Sequence, residues 1–504
     1  MSKAGEAAAE MLPGARAFNK QLAPAYLDHV CITSGFAPPP GSPVGEGMDA
    51  GFAYCELHCG SGVTAALLAS ANPLGDFHAI DPREKVLEQG RALARDGGAR
   101  NVTFHQAGIE AALEKTLPQF DYITVNGIYS WVPLHERALV LAFVRKFLKP
   151  GGAVYVSYNA RPGWNRLDPF RRLFRESNAG LRGDARQRLV TARELYAKLE
   201  QARAPSIVAS GVTAASLAEL DLLPIDVMAA DYANEFAEPL YVTEVISDFA
   251  AIDCVLAGPA DMAESVQVLI GYEPYKSVLE RMPAAAGREL AKDLLRDTRF
   301  RRDVFVRGGR RLAADNREMV LRGLAFALEQ PDATTRYQVH VSFGEMHFDN
   351  PHARALVGAL AEGPRTLGEL IAQAQAQNVE PQNIAANLHA LLVSEQIRPV
   401  YRGSTEAGQS VRGMQQAIRA RAGTAEAIGF LPSPYGTAFA VPVPDQIFSE
   451  LPSLERADEM AQLAIEKLGG SSLPETTRES IFKRARAYRR NARYYTALGL
   501  PSSG

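Results

Sequence analysis

The stretch Phe52-Ala53-Tyr54-Cys55-Glu56-Leu57-His58-Cys59-Gly60-Ser61-Gly62 decides the fold. It reads as a buried strand that ends in an acidic residue and runs into a turn of small residues. A helical pattern, Val63 to Ser70, begins at once. That is the first strand, loop and helix of a nucleotide-type α/β fold. Glycines let the backbone approach a ligand closely, and the following helix offers free N–H groups and a positive dipole end. The spacing is not that of a dinucleotide fingerprint, and no Lys-Ser/Thr pair follows as a phosphate loop needs.

Working outward, a second strand, Phe77 to Ile80, ends at Asp81. An acid there can accept hydrogen bonds from both hydroxyls of a ribose. Asp81-Pro82-Arg83-Glu84 also reads as a helix start, with cap, proline at the first helical position and Glu three residues on. The helix that follows carries Val86, Leu87, Gly90, Leu93 and Ala94 on one face. A third strand, Asn101 to His105, leads to Gln106, and a fourth, Phe120 to Val125, to Asn126-Gly127-Ile128-Tyr129-Ser130-Trp131-Val132-Pro133. After a helix with Leu139, Phe143 and Phe147 on one stripe, Lys149-Pro150-Gly151-Gly152 is the stop, and Ala153 to Tyr158 is the fifth strand. Strands alternating with helices demand a parallel sheet covered on both faces. The ligand then sits beyond the carboxyl ends of the strands, where Gly60, Gly62, Asp81, Gln106, Asn126 and Asn159 fall.

Residues 1 to about 25 read as a weak helix or tail, and Gly35 to Gly47 as a Pro/Gly-rich loop. A helical insertion occupies about 168–237, and Ile252 to Leu256 and Asp303 to Arg307 read as the last strands of the same sheet. His352 to Val400 has the pattern of a winged helix, with Thr366-Leu367-Gly368-Glu369 as a capping box. No Lys or Arg lies between Arg365 and Arg398, so its would-be recognition helix has nothing basic for phosphates, and a structural or protein-contact role is expected instead of DNA binding. Ala427 to Val443 is turn-rich. A final helix, Glu479 to Tyr495, sets a core stripe (Ile481, Ala485, Tyr488, Ala492, Tyr495) against a basic face of Lys483, Arg484, Arg486, Arg489, Arg490 and Arg493. That face is either solvated or a dock for an acidic partner. The expected division is an N-terminal helical segment (1–50), a catalytic domain with its insertion (51–310), a winged-helix-like domain (311–402) and a C-terminal domain (403–504).

The net charge of −3 gives no global pull toward nucleic acid or anionic membrane. Four scattered cysteines do not make a disulfide framework and suit a reducing compartment. Cys55, His58 and Cys59 have no second ligand pair at zinc spacing, so no metal is expected. The N-terminus lacks the apolar block of a signal peptide, and no apolar run approaches the roughly 20 residues that cross a bilayer. A cytoplasmic location without membrane insertion is expected.

Three segments together resemble one family: Glu56 to Gly62, Asn126 to Pro133, and Lys149 to Trp164 with its Tyr158-Asn159-Ala160-Arg161-Pro162-Gly163-Trp164 end. They look like bacterial class I S-adenosylmethionine (SAM) methyltransferases that carry a methyltransferase regulatory domain, the group of the rickettsial-type protein-lysine methyltransferases. The first matches the acidic-x-G-x-G-x-G loop of that class except at His58, which stands where the first glycine is expected. Asn126 stands where the family usually has His. Asn234-Glu235, Glu238 to Tyr241 and Arg299 to Arg301 look like its middle region. The resemblance implies a Rossmann-like methyltransferase sheet with a helical insertion, followed by winged-helix-like and C-terminal α+β regions. It implies SAM as cofactor, held by Glu56, His58, Gly60, Gly62, Asp81, Gln106 and Asn126, and a protein substrate methylated on lysine.

A lysine acceptor must become a neutral amine, which a desolvating aromatic pocket favours. Tyr129, Trp131 and Trp164 are the candidate aromatics, with Asn126 orienting the amine and Tyr158 and Asn159 completing the pocket; the alternative for the aromatics is plain core packing. Rival readings are a methyltransferase for a small molecule or nucleic acid, and a catalytically degenerate SAM-binding regulatory protein. A homodimer is compatible with either. At His58 the expectation is a negative φ, with the ring turned from the ligand and packed on the sheet, because a positive φ costs a side-chain-bearing residue about 1 kcal/mol or more.

Overall fold

The computed structural model describes residues 18–46, 51–177, 185–222, 231–232, 234, 236–265, 273–341, 344–451 and 457–501. Its centre is a seven-stranded sheet. After helix α1 (Pro24–Thr33) come β1 (Ala53–Leu57), α2 (Val63–Ala71), β2 (Asp76–Asp81), α3 (Glu84–Gly97), β3 (Val102–Gln106), β4 (Phe120–Val125), α4 (Leu134–Phe147) and β5 (Leu148–Asn159). Helices α5 (Asp168–Ser177) and α6 (Ala185–Gln201) belong to the insertion, and α7 (Val242–Ala250), β6 (Cys254–Pro259), α8 (Ala285–Arg296) and β7 (Phe300–Arg307) return the chain to the sheet. The strand order is β3-β2-β1-β4-β5-β7-β6. The first five strands are parallel, and β7 runs antiparallel between β5 and β6. The two late strands expected from the sequence therefore do complete the sheet. The order reverses between β1 and β4, and that switch opens a crevice at the carboxyl ends.

Both β1 and β4 are buried along their whole length because helices cover both faces. One face carries Tyr54, Phe77 and Tyr122 into a core shared with α1 and α2. The other carries Cys55, Ile123 and Val125 against Val140, Phe143, Val144 and Phe147 of α4. Each large side chain buried this way contributes about 1.5–3 kcal/mol.

Two sequence expectations shift. The tail reading of residues 1–25 lies outside the described residues up to 17, but α1 begins at Pro24 and is buried from Pro24 to Ile32. Helix α3 begins at Glu84 with Arg83 as its N-cap and no side-chain cap bond, so Asp81 is not the cap and Pro82 is not the first helical residue. What Asp81 does is accept from the Arg83 backbone N–H at 3.0 Å, a turn bond two residues on.

Within the insertion, Phe170, Phe174, Leu189 and Tyr196 form a small core of their own; residues 178–184 and 223–230 of that expected helical run lie outside the described ones. Beyond the sheet, β8 (Ala325–Leu328), α9 (Pro351–Ala361), β9 (Arg365–Thr366), α10 (Leu367–Gln375), α11 (Pro381–Val393) and β10 (Ile397–Val400) make three helices and a three-stranded sheet ordered β9-β8-β10. Thr366 and Glu369 form the expected capping box. Helix α12 (Thr405–Arg419) then packs on α2 and α3 of the first sheet. The turn-rich segment is a hairpin of β11 (Phe430–Ser433) and β12 (Thr437–Ala440). The final helix is two pieces, α13 (Glu475–Arg490) and α14 (Ala492–Ala497), meeting at Asn491.

Candidate active site

The crevice begins at Glu56, on β1 beside Thr124 of β4. Its side chain is 4 % exposed, and Oε2 has no hydrogen-bond partner. Burial pushes its carboxyl up to about 8. The loop then turns through three positive φ angles, at His58 (62°), Gly60 (59°) and Gly62 (68°). The expected negative φ at His58 is thus corrected. Histidine is among the residue types that enter the left-handed region more readily than most, and the strain is of order 1 kcal/mol. The loop is otherwise regular: Cys59 N–H donates to Ile80 O at 3.0 Å and Gly62 N–H to Cys59 O at 3.1 Å. The ring does not turn away to the sheet but keeps Nδ1 3.7 Å from Asp81 Oδ2. Burial lowers its pKa against the pull of Asp81. At Gly62 a Cβ would lie 2.6 Å from Phe104, so only glycine fits; at Gly60 only Arg83 comes within 4.0 Å of that position, which leaves room above the loop. Helix α2 starts directly after Gly62 with no side-chain cap, and the backbone N–H of Ala65 in its first turn bonds the Glu56 carboxyl.

Asp81 is fully buried at the end of β2, paired in register with Gln106, which is exposed at the end of β3. Four donors reach the Asp81 carboxylate. Oδ1 accepts from Arg83 N (3.0 Å) and Nε (2.9 Å), and Oδ2 from Gly60 N (2.9 Å) and Arg83 Nη2 (2.9 Å). Burial raises its pKa, but the Arg83 bonds outweigh this and hold it below the ordinary carboxylate range. Four donors fill the lone-pair directions of a carboxylate.

The second half of the crevice lies at the ends of β4 and β5. Asn126 Oδ1 accepts from Ser157 Oγ at 3.0 Å, and the same hydroxyl accepts from Gly127 N–H at 2.9 Å. Trp131, partly exposed, donates its Nε1–H to Asp231 Oδ1 at 2.7 Å. Asn159 donates its amide to that same oxygen at 2.9 Å, and its backbone N–H goes to Ser130 Oγ. Asp231 therefore ties the β4 loop to the end of β5, and burial raises its pKa against the two bonds it accepts. It lies 100 residues from Trp131 and 72 from Asn159, and no local pattern in the sequence marks it. Arg83 was equally unmarked, since it reads as an ordinary residue at a helix start.

Three expected pocket residues are elsewhere. Tyr129 is fully buried, donates to Asp248 Oδ2 at 2.7 Å and packs on Phe249. Tyr158 is fully buried and donates to Asp303 Oδ2 at 2.6 Å, inside an ion network centred on Arg301. Trp164 is 5 % exposed and packs with Tyr232 in the insertion core. All three are core aromatics, and the two tyrosines have found the acceptor that a buried hydroxyl needs. Asn126, Trp131 and Asn159 are the expected acceptor-side residues that the fold brings together. Among the described residues no three His, Cys, Asp or Glu side chains cluster as a metal site.

Residues 48–203 match the "Methyltransferase domain" family and residues 226–307 the "Predicted methyltransferase regulatory domain" family. An uncharacterized protein of Synechocystis sp. is 28% identical over 403 residues, 78% of each chain. PKMT2 from Rickettsia typhi, solved in complex with AdoHcy, shares the fold with a TM-score of 0.66 over 96% of this chain and 99% of that one, at 15% identity. Ubiquinone biosynthesis O-methyltransferase from Acinetobacter baumannii is 28% identical over 108 residues, 21% of this chain and 44% of that one. The chain thus carries a methyltransferase domain over residues 48–203, with SAM as its cofactor, and a methyltransferase regulatory domain over 226–307. The crevice fits SAM: Glu56 Oε2 is an unpartnered buried acceptor suited to a cationic group, and Gly60 leaves room for close approach.

Proposed function

We propose that this methyltransferase N-methylates lysine side chains of a protein. The observation that carries the reading is the grouping, at the ends of β4 and β5, of the Asn126 and Asn159 amides with the indole of Trp131, the last two held on Asp231. Bound SAM supplies an electrophilic methyl group on a sulfonium. The chain's residues then have to align a nitrogen with it and strip that nitrogen of water. The indole face attracts a cationic amine and shields it from solvent. Asn126 has one of its two carbonyl lone pairs engaged by Ser157, which leaves the other for an N–H of the incoming amine.

On the cofactor side, Glu56 carries its open oxygen toward the cationic end of the ligand, Gly60 and Gly62 allow backbone approach, and Asp81 takes the ribose hydroxyls. Gln106, exposed beside Asp81, is left to meet the base, and His58 holds its ring at the rim of the loop. A macromolecular acceptor accords with the chain that follows the sheet, whose architecture PKMT2 shares almost end to end.

The test is incubation of the full chain with tritium-labelled SAM and a fractionated cell lysate. The reading expects label in the protein fraction. Label confined to metabolites or to RNA would replace it with one of the other acceptor classes, and no transfer alongside intact SAM binding would mark a degenerate enzyme.

A further inference from the structure

Most buried acids of this protein face a cation. Asp121 pairs with Lys149, Glu289 with Lys292 and Arg301, Asp293 and Asp303 with Arg301, and Asp445 with Arg484. Asp28 and Asp248 are instead closed by tyrosine hydroxyls. Two acids at the carboxyl edge of the sheet have neither arrangement. One is Glu56, with its unpartnered Oε2 on the cofactor side. The other is Asp231, on the acceptor side. Both of its donors, the Trp131 indole and the Asn159 amide, are uncharged and fall on Oδ1, and among the described residues no donor reaches Oδ2. The cation that acts on it through space is Arg171, which spends a guanidinium N–H on the Ala237 carbonyl and lies over the Trp164 ring. A partly buried carboxylate without a counter-ion is costly unless a ligand supplies one.

We infer that Asp231, supplied by the regulatory domain, is the residue that receives the acceptor's ammonium group and takes its proton. This rests on the amine-acceptor reading above and adds to it the group that selects and deprotonates the amine. Asp231 is held for the task from both sides. Trp131 and Asn159 fix Oδ1, and its neighbour Tyr232 packs on Trp164 and Phe170 of the insertion. Oδ2 is left beside the indole edge. An ammonium arriving there forms a charge-assisted hydrogen bond to Oδ2. Its N–H bond breaks toward Oδ2, the proton stays on the carboxyl, and the electron pair remains on nitrogen as the lone pair the transfer needs. The two cations of the reaction, cofactor and acceptor, thus meet the two carboxylates at this edge that lack a charge partner. A regulatory domain that contributes this group also makes methyl transfer depend on how that domain is seated.

The test is calorimetry on the full chain saturated with S-adenosylhomocysteine. The titrants are Nα-acetyl-L-lysine methylamide and its uncharged norleucine isostere. The expected result is binding of the lysine derivative and not of the isostere. Asp231→Asn should weaken lysine-derivative binding by about tenfold or more and leave S-adenosylhomocysteine affinity unchanged, with partial recovery in Asp231→Glu. Equal amine binding by the Asp231→Asn protein would overturn this inference while leaving the lysine reading standing. A parallel fall in S-adenosylhomocysteine affinity would also overturn it, making Asp231 a strut for Trp131 and Asn159. Wild-type protein that binds S-adenosylhomocysteine but ignores the amine would defeat the lysine reading and the inference together.

Discussion

At the scale of single residues, the cofactor side turns on a contest for Asp81. Arg83 supplies three of its four donors, so on the proposed reading of Asp81 the ribose hydroxyls would displace the guanidinium, which is half exposed. Asp81→Ala should weaken SAM binding by about 1–3 kcal/mol, the scale of hydrogen bonds to a charged group. Arg83→Ala should tighten it severalfold by removing the competitor. Calorimetry decides, and a weaker Arg83→Ala complex would instead make that guanidinium a ligand contact.

His58 gives a second expectation. Glycine there relieves a strain of order 1 kcal/mol but adds backbone entropy to the unfolded chain, so His58→Gly should gain less than about 1 kcal/mol in denaturant unfolding. SAM affinity should change by less than about tenfold, because Gly60 and Gly62 already carry the positive φ angles nearest α2. A gain of a hundredfold or more would identify the native chain as a degenerate enzyme.

Glu56 gives a third, in pH. Burial holds its proton up to about pH 8 in the free protein, and a cationic ligand favours the carboxylate. Binding therefore releases a proton, and SAM affinity should rise between pH 6 and about 7.5 while the ligand's own ammonium stays charged, by at most about tenfold per pH unit. The sign for stability is opposite. The folded state binds more protons than the unfolded one between the ordinary carboxylate range and pH 8, so the free protein loses stability as pH rises through that window. Glu56→Gln should flatten both dependences, and an affinity that stays level in the wild type would show that no proton leaves Glu56.

At the scale of elements, the strand-loop-helix units announced themselves because alternation, glycines and a 3.6-residue stripe are local signals. The glycine loop, Asp81, Asn126, Trp131 and Asn159 could be placed at the sheet edge for that reason. Two elements resisted. Helix α1 is apolar nearly all round and buried on every side, so it has no polar face to give it a period. Its Asp28 accepts from Ser42, Tyr122 and Tyr401, a knot between parts of the chain that no local reading joins. The aromatic side chains after β4 and β5 misled for a related reason. Tyr129, Tyr158 and Trp164 are rich in chemistry, but which way each one points depends on Asp248, Asp303 and the insertion core.

The winged-helix-like part yields an expectation at this scale too. The exposed face of α11 presents Gln382, Asn383, Ala385, Ala386 and His389, and the Arg398 that follows is buried against Glu329. The full chain should give no salt-sensitive shift of duplex DNA in a gel, and such a shift would assign α11 a nucleic-acid role.

At the scale of the whole molecule, the parts read as separate along the sequence share one core. Buried residues of α1, β1, β8, α9, α12 and α13 form a single cluster, and Gly97 of α3 lies against Met414 of α12. Part of the basic face of α13 is spent inside the chain, Arg484 on Asp445 and Arg486 on Asp458, so an acidic partner there would meet fewer free charges than the sequence suggests. Among the described residues no helix is long and apolar enough to cross a membrane. The regulatory domain spans α7, β6, α8 and β7 and so builds one edge of the catalytic sheet, while Asp231 reaches its acceptor side. On the protein-acceptor reading proposed above, such an arrangement would couple the docking of the acceptor to the chemistry.

The central claim, methyl transfer to lysine, is tested most directly by hydrolysing a protein labelled by the full chain with tritium-labelled SAM and separating its amino acids. The account predicts that the label elutes as Nε-methylated lysine. Label in methylarginine, or released by mild base as methanol from a carboxyl ester, would contradict it.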